Sequence, residues 1–488
     1  MKIVIIGGGP CGLGAAWRAE EVRRQGNTQI DWTLVESAPD AGGLARTVVD
    51  ENGFLWDMGG HVIFSHYAYF SRLLDHLLPG ADDWNLKIRE AWVWMRGTFI
   101  PYPLQQNLHR LPKNEIVSCI DGLLENDRRR GQFSKPTNFS EWMEQSFGKG
   151  LCETFMRPYN FKVWAYSADK MNVEWMGERV ATVNVSKVIQ NVILGKDELG
   201  WGPNNTFRFP MRGGTGAIWN RLAEVLPQDK FQYKKKVTKI DVQQKLITYE
   251  DNSTETYDAI VSTMPMDYLC TIIEGTKKFS HSELVEKSKQ FRYSSSHIIG
   301  FGMEGQPPEH LISKCWLYFP EDDCPFYRAT VFSNYSPYHV PKPGEQWSLM
   351  CEVAESPEKP VDVKNIIAIA EQGLRNTKLI DDNTKIASRF HVRLEYGYPT
   401  PFFGRDQLCT PLFEEFESYN IFSRGRFGSW KYEVSNQDHS MMLGVEAIDR
   451  IVFGTEELTL KYPDLVNAKR DNVGRIPFID DEQSKTAQ

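Results

Sequence analysis

The chain has 488 residues, of which 41% are hydrophobic and 25% charged, and 56 Lys and Arg against 64 Asp and Glu give a net charge of −8. This length predicts a globular protein of two or three domains, and the acidic balance argues against binding to nucleic acid or an anionic membrane. Eight scattered cysteines without a C-x-x-C motif indicate reduced thiols. No apolar run approaches the roughly 20 residues of a membrane span, and no signal peptide precedes the first strand, so we expect a cytoplasmic protein.

The first 36 residues have the pattern of a dinucleotide-binding strand, turn, helix and second strand. An apolar run leads into a glycine turn with Gly7, Gly9 and Gly12, and a second apolar run ends at Glu36. The three glycines would permit the turn, the approach of a pyrophosphate and close helix–strand packing, while Glu36 is placed to bind a ribose. The helix N-terminus would favour the phosphates. The alternative is a glycine turn that only tightens the corner between strand and helix.

Two further glycine motifs narrow the choice of cofactor. The turn at residues 42–46, which ends in an arginine, suits the extended FAD molecule better than NAD. The paired glycines before His61 would let the backbone approach a flat ring closely, so we expect an active-site role for this loop. His66 follows His61 by five residues, which is a poor spacing for one metal on a helix face, and we predict no metal site.

The remaining chain alternates between helical and strand-like segments. Apolar spacing predicts a helix over 115–124, and helices are also expected at 151–156, 186–194, 217–226, 364–375 and 441–452, with a surface loop at 126–135. Short strands are expected at 236–240, 246–249 and 259–263, and antiparallel strands at 297–301, 316–319, 327–332 and 347–353.

Several longer motifs resemble the family of eukaryotic UDP-galactopyranose mutases, within the amine-oxidase-like FAD superfamily. The resemblance runs in matching order from Lys2 to about Asp464, with Lys431 standing where relatives often carry Arg. The motifs are residues 155–164, 201–204, 316–320, 326–330, 397–401 and 425–432.

The resemblance implies interconversion of UDP-galactopyranose and UDP-galactofuranose with no net redox change. FAD would be active in its reduced form, with NADPH or NADH as reductant. The reduced flavin N5 would attack the anomeric carbon and displace UDP, and a flavin–sugar iminium would let the ring open and reclose.

The resemblance also implies the site residues. The loop residues Gly60 and His61 would lie beside N5, and Arg179 and Arg328 would bind the diphosphate. The expected substrate-binding residues are Tyr102, Gln105, Phe155, Asn160, Trp164, Asn204, Trp316, Tyr318, Tyr335, Tyr398 and Tyr432. The expected cofactor-binding residues are Gly7, Gly9, Gly12, Glu36, Gly43, Leu44, Arg46, Gly60, His61, Val237, Arg426, Asn436 and Gln437.

We therefore expect an α/β fold with a discontinuous Rossmann-like FAD domain, a helical domain and an antiparallel β-sheet substrate domain. The FAD domain would comprise 1–90, 205–272 and 415–465, the mainly helical domain with mobile substrate loops 91–204, the sheet domain 273–414 and a polar tail 466–488. The short segment between Tyr338 and Trp347 leaves the assembly state open, with a monomer favoured.

Two other functions remain open at this level. A flavin oxidase or desaturase would share the glycine motifs but would need an apolar tunnel in place of a diphosphate clamp. A binding protein resembling the Rab GDP-dissociation inhibitors would share the fold without flavin chemistry, although Glu36 and the intact glycine pattern argue against it.

Overall fold

The computed structural model describes residues 1–27, 29–176, 183–199 and 205–468. The strands of these residues are β1 Lys2–Ile6, β2 Asp31–Val35, β3 Thr47–Val49, β4 Leu55–Asp57, β5 Trp84–Ile88, β6 Ala91–Met95, β7 Thr98–Pro101, β8 Thr206–Pro210, β9 Phe231–Gln232, β10 Val237–Asp241, β11 Leu246–Tyr249, β12 Thr254–Thr256, β13 Ala259–Ser262, β14 Ile273–Glu274, β15 Tyr293–Glu304, β16 Trp316–Tyr318, β17 Arg328–Val331, β18 Gln346–Glu355, β19 Ile386–Pro399 and β20 Ile421–Ser423. The helices are α1 Pro10–Arg24, α2 Ala68–Leu77, α3 Lys113–Arg128, α4 Phe139–Leu151, α5 Arg157–Trp164, α6 Val185–Leu194, α7 Gly216–Val225, α8 Met266–Ile272, α9 His281–Ser288, α10 Ile366–Asn376, α11 Arg405–Glu417, α12 Gln437–Phe453, α13 Leu458–Lys461 and α14 Pro463–Ala468.

A five-stranded parallel sheet forms the centre of the nucleotide-binding region. Its order is β20-β13-β1-β2-β9, so strands from both ends and the middle of the chain meet there. Ile3 and Ile5 pack into the core on one face, and Val4 and Ile6 pack into the core on the other. Burial on both faces explains why β1 is continuously apolar, as is usual for a parallel strand.

Helix α12 packs along α1, and two glycines allow the close approach. A Cβ at Gly444 would lie 1.9 Å from the carbonyl oxygen of Cys11, and one at Gly14 would lie 2.4 Å from that of Met441. The contact brings the N-terminus of α12 to the carboxyl end of the parallel sheet, where ligands of open α/β sheets bind.

A seven-stranded sheet of order β19-β15-β18-β17-β16-β6-β7 forms the second large layer. Strands β15 and β18 are antiparallel to each other, as the sequence predicts for 297–301 and 347–353, and β19, which was not predicted, pairs antiparallel with β15. Strand β6 joins through a parallel pairing with β16. Strands β6 and β7 fall at the start of the segment 91–204, which was expected to be mainly helical. They join the sheet because Ala91 and Val93 are buried in the register of β16.

Helices α3 to α6 make up most of the remainder of 91–204. Helix α3 includes the predicted residues 115–124 but runs on to Arg128, so the loop expected from 126 begins later. The cause is Asn126, whose Nδ2 donates to the carbonyl oxygen of Gln145 at 3.0 Å and ties the last turn of α3 to α4. Residues 152–156 form a π-helical turn between α4 and α5.

The α/β fold class is confirmed by these two sheets and their helices. All eight cysteines are free and buried, as expected for reduced thiols. Within the described ranges, no helix combines the length and apolar character that crossing a bilayer requires. The domain boundaries stay a prediction, and most of the expected polar tail lies outside the described residues.

Candidate active site

One long cavity of about 1000 Å³ connects the parallel sheet to the seven-stranded sheet. Its first end lies at the glycine turn after β1, and its far end at strands β16 to β18. This volume is at the upper limit of ordinary ligand pockets, which run from about 300 to 1,000 Å³. The cavity therefore suits an extended ligand or two ligands end to end.

The two glycine turns meet at the first end of the cavity. Gly42 donates its main-chain N–H to the carbonyl oxygen of Gly8 at 2.8 Å. A Cβ on Gly43 would lie 3.0 Å from the Cα of Gly9, so these turns leave backbone without side chains facing the cavity. Gly12 lies one layer below, where a Cβ would come within 1.8 Å of the carbonyl oxygen of Gly7. The turns thus form a backbone cradle at the N-terminus of α1, the arrangement that favours a pyrophosphate.

Glu36 closes this cradle at the end of β2. Its Oε2 accepts the main-chain N–H of Gly8 at 2.6 Å, and its Oε1 accepts that of Ala38 at 2.7 Å. Both contacts fix the carboxylate at the cavity wall, where Arg46 and Val237 also lie.

The N-terminus of α12 forms the middle of the cavity wall. Asn436 is the N-cap of this helix, and the Oε1 of Gln437 accepts the Nε1–H of Trp219 at 2.8 Å. Arg426 donates to the carbonyl oxygen of Gly397 at 2.9 Å and to the Oγ of Ser435 at 2.9 Å. Arg426 therefore ties β19 of the sheet to the residues before α12.

A buried carboxylate, Glu352, organises the glycine–histidine loop. Its Oε1 accepts the main-chain N–H of Gly60 at 3.0 Å, and Tyr327 donates its hydroxyl to Oε2 at 2.8 Å. Arg328 lies opposite Glu352 in the register of β17 and β18 and donates from Nε at 2.6 Å and from Nη2 at 2.8 Å. The carboxylate of Glu352 thus positions both the Gly60–His61 loop and Arg328, the residue expected to bind the diphosphate.

The electrostatics of this network follow from its burial. Burial opposes the charge of Glu352, but the guanidinium of Arg328, together with the Tyr327 hydroxyl and the Gly60 N–H, outweighs it and lowers the pKa of this carboxyl. Burial lowers the pKa of His61 to about 4, with Glu352 opposing that change and Arg328 reinforcing it. His61 is therefore a neutral imidazole near pH 7, and its ring is a quarter exposed to the cavity.

Aromatic side chains enclose the far end of the cavity. Tyr432 lies 4.8 Å from Trp164 and 5.5 Å from Trp175, ring centroid to ring centroid. On the other side, Tyr318 lies 5.1 Å from Tyr102 and 5.7 Å from Tyr159. These rings make an apolar enclosure with hydroxyls at its edge, which suits a ligand with flat and polar parts.

Two polar atoms in buried side chains at this end of the cavity have no hydrogen-bond partner among the described residues. They are the Nε1 of Trp316 and the Oγ of Ser296. Buried polar groups are nearly always paired in folded proteins. The unpaired atoms therefore indicate a ligand with hydroxyl or phosphate groups.

Most of the predicted site residues line this one cavity. The cofactor set does so apart from Gly12, which lies beneath the turn. The predicted substrate-binding residues that line it are Tyr102, Asn160, Trp164, Trp316, Tyr318, Tyr398 and Tyr432, and Arg328, which was predicted to bind the diphosphate, lines it too.

Five predicted residues are placed differently or lie outside the described ranges. Gln105 and Phe155 are buried behind the wall, and Phe155 stacks on Tyr159 at 5.4 Å. Tyr335 is fully buried against Phe207 and Phe209, away from the cavity lining. Arg179 and Asn204 are outside the described residues.

Sequence reasoning missed other residues of the lining, and three of them bear on the chemistry of the site. Glu352 and Arg89 lie in strand-like segments that contain no recognisable motif, and only folding brings them to the cavity. Tyr159 lies inside the motif 155–164 and could have been found there, because it is one helical turn from Phe155.

A buried group that sequence spacing did not suggest lies beside the N-terminus of α12. His66, Asp438 and His439 bring one ligand atom each within 4.8 Å of one another. Asp438 accepts both the main-chain N–H and the Nδ1 of His66, at 2.9 and 2.8 Å. Burial opposes its charge, yet the imidazoles of His439 and His66 lower the pKa of this carboxyl, so Asp438 is held as a carboxylate.

Comparison with known proteins agrees with this geometry. Residues 11–354 match the model of the flavin containing amine oxidoreductase family, and the chain belongs to that family. The expectation of a flavin-binding chain is thereby confirmed.

Within that class, the chain is 46% identical to a protein solved as reduced UDP-galactopyranose mutase. The match covers 98% of this chain and 100% of that chain with a TM-score of 0.92. An oxidoreductase from Methanosarcina mazei, at 16% identity, covers 92% of this chain and 99% of its own with a TM-score of 0.60. A fatty acid isomerase from P. acnes, at 12% identity, covers 92% and 98% with a TM-score of 0.59. The last two show the fold alone.

Proposed function

We propose that the chain is a UDP-galactopyranose mutase, an isomerase that interconverts UDP-galactopyranose and UDP-galactofuranose without net redox change. The observation that carries the proposal is the 46% identity to such a mutase over 98% of the chain. The cavity supports it, because one end is a dinucleotide cradle and the other carries Arg328 with the hydroxyls of Tyr398 and Tyr432.

FAD is the proposed cofactor, with NADPH or NADH as its reductant. The residues present fit it, because Gly9 and Gly43 leave a backbone cradle for a pyrophosphate and Glu36 lies fixed at the ribose position. The N-terminus of α12 would stabilise a negative charge on the flavin ring. When bound and reduced, the flavin supplies a nucleophilic nitrogen for the anomeric carbon of the sugar.

Arg328 is proposed to stabilise the charge that develops on the UDP leaving group. Two of its donors are held by Glu352, while its Nη1 donates to no group of the described residues. A guanidinium fixed in this way needs no reorganisation when the diphosphate departs. By resemblance Arg179 supplies the second cation, and Tyr398 and Tyr432 donate hydroxyls.

The aromatic enclosure is proposed to exclude water from the reacting sugar. Trp164, Trp175 and Tyr432 pack edge to face at the cavity wall, and by resemblance the loop with Asn204 closes over the substrate. Exclusion matters because water could otherwise intercept the anomeric carbon. For the uracil, Tyr102 and Asn160 are proposed as direct contacts, with Gln105 and Phe155 supporting them from behind the wall.

The test is a mutase assay on the purified, FAD-loaded protein. After anaerobic reduction with NADPH, UDP-galactofuranose should be converted to UDP-galactopyranose, which chromatography separates. The oxidised protein serves as the control and should be inactive. A reduced, FAD-loaded protein that forms no UDP-galactopyranose would sink the proposal, and vigorous substrate-dependent oxygen consumption would point to an oxidase.

A further inference from the structure

A second groove, separate from the cavity described above, lies where three distant segments meet. Its volume is about 630 Å³, and it is lined by residues of 166–170, 287–292 and 400–408 together with Glu358. The segments are joined beneath it, because Asn172 donates its main-chain N–H to the carbonyl oxygen of Pro401 at 2.8 Å and Tyr166 donates its hydroxyl to that of Tyr293 at 3.1 Å. The groove is thus part of the folded framework.

The groove is basic in an acidic protein. Its lining carries four cations and one carboxylate, Glu358. That carboxylate is 2.9 Å from the Nζ of Lys170, and Lys289 pairs with Glu286 outside the lining. Among the described residues, no carboxylate lies within salt-bridge distance of Lys287 or Arg292. These two side chains therefore offer positive charge to an anion.

Two further features of the groove point to an anionic ligand. Helix α11 begins at its wall, with Gly404 as N-cap and Gln407 in the lining, so the positive end of the helix dipole lies beside the groove. Thr400 is 2% exposed and lines the groove, and its Oγ has no hydrogen-bond partner among the described residues. A buried hydroxyl without a partner is unusual in a folded protein.

An exposed aromatic ring completes the groove. Phe403 is 49% exposed, although it directly follows the buried Phe402 and directly precedes the turn into α11. A flat apolar surface beside a cluster of cations is the combination that binds the base and the phosphates of a nucleotide. The volume also falls within the range of ligand pockets, about 300 to 1,000 Å³.

We propose that this groove is a second ligand site, which binds a nucleoside polyphosphate. Lys287, Arg292 and the N-terminus of α11 hold the phosphates, and the base lies on Phe403. Tyr166 and Thr400 each lie two residues from a residue of the active-site cavity, Trp164 and Tyr398 respectively. The bound nucleotide therefore contacts the segments that carry the aromatic enclosure.

Calorimetric titration of ADP into the FAD-loaded protein tests the site, with saturating UDP present to fill the active-site cavity. In 50 mM salt we expect saturable one-to-one binding that weakens when the salt is raised. The double variant Lys287→Ala/Arg292→Ala should lose at least tenfold in affinity, with FAD content unchanged because neither side chain lines the active-site cavity. The matched control Arg130→Ala/Lys342→Ala removes two exposed cations elsewhere and should bind ADP as the parent does.

The outcomes separate this proposal from the proposed function. ADP binding that is equal in the parent and in the groove variant would overturn the site, and so would a titration that does not saturate. Equal affinity for inorganic pyrophosphate and ADP, or an unchanged affinity in Phe403→Ala, would overturn the role of the ring. A failure of UDP to bind would count against the mutase assignment, while the difference between parent and groove variant would still report the groove.

Discussion

The two ends of the long cavity are built in different ways. The dinucleotide end consists of backbone from residues 7–46, a local stretch in which glycines and one carboxylate leave main-chain groups facing the ligand. The substrate end consists of side chains that arrive from α5, from β16 to β19 and from the residues before α12. The dinucleotide end depends on glycines that have no side chain, whereas the substrate end depends on the charged, aromatic and hydroxyl groups of its side chains. Substitutions should therefore fail differently at the two ends.

The largest expected effect separates two glycines of the same turn. Gly12→Ala places a Cβ 1.8 Å from the carbonyl oxygen of Gly7, so the corner between β1 and α1 cannot form without shifting the backbone. We expect destabilisation above the usual cost of overpacking, about 1–3 kcal/mol, and loss of bound FAD. Gly9→Ala meets only an ordinary contact, 3.7 Å to the Cα of Gly43, and has an extended backbone that alanine accepts.

Gly9→Ala should therefore unfold at the parent's denaturant midpoint while its bound FAD, measured by absorbance, falls. Comparing Gly9→Ala with Gly12→Ala therefore separates an effect on cofactor binding from an effect on folding. If Gly9→Ala retained full FAD, the backbone at this glycine would not approach the cofactor.

The next effect belongs to the substrate end. Arg328→Ala removes a charge-assisted donor worth about 1.5–3 kcal/mol, which corresponds to a loss of roughly 10- to 150-fold in kcat/KM. FAD content should stay at the parent value, because the backbone cradle of Gly9, Gly43 and Glu36 is formed without Arg328. Arg328→Lys is the matched variant, since it keeps the charge but not the two-pronged contact with Glu352. Near-parental turnover of Arg328→Ala would remove this residue from the site.

The same contrast decides how much the sequence could predict. The backbone cradle could be predicted from the sequence because its residues are close together in the chain and because a side chain at each of its glycines would obstruct the turn, the ligand or the helix packing. The motifs of the substrate end identified Arg328 and Tyr398 only through resemblance, since no spacing links residues that meet through sheet pairing. Glu352 escaped altogether, because only the register of β17 with β18 sets it opposite Arg328. Tyr335 was expected in the site but packs against Phe209, and it lies in none of the motifs, so nothing in the sequence indicated which way its side chain points.

A smaller effect should follow from weakening the contacts by which Glu352 joins the Gly60–His61 loop to Arg328. Glu352→Gln keeps the shape but removes the charge that holds Arg328 and accepts from Gly60. We expect kcat/KM to fall about 5- to 30-fold, in line with the roughly 1–2 kcal/mol of one charge-assisted hydrogen bond, with FAD retained. The control Glu304→Gln, at the exposed end of β15, should retain parental kinetics. Parental kinetics in Glu352→Gln would show that the loop and Arg328 hold their positions without this carboxylate.

The last effect is on the stability of the whole fold, which acid should lower through a buried histidine. His339 is fully buried, stacks on Phe332 at 4.0 Å and donates from Nδ1 to the carbonyl oxygen of that residue at 2.8 Å. Burial lowers its pKa to about 4, whereas in the unfolded chain the group takes up a proton near pH 6.5. The stabilising contribution is therefore complete above pH 6.5 and is lost as the pH falls towards 4, by about 2–3 kcal/mol.

Replacing this ring checks the sign of the pH effect. Urea unfolding of His339→Gln, which keeps a donor for the carbonyl of Phe332, should show a free energy of unfolding that changes less between pH 6.5 and 4 than that of the parent. His281→Gln, an exposed histidine on α9, is the control and should follow the parental curve. A His339→Gln curve parallel to the parent's would mean that the ring takes up its proton without unfolding, and acid sensitivity would then have to be sought at His61, whose pKa burial also lowers to about 4.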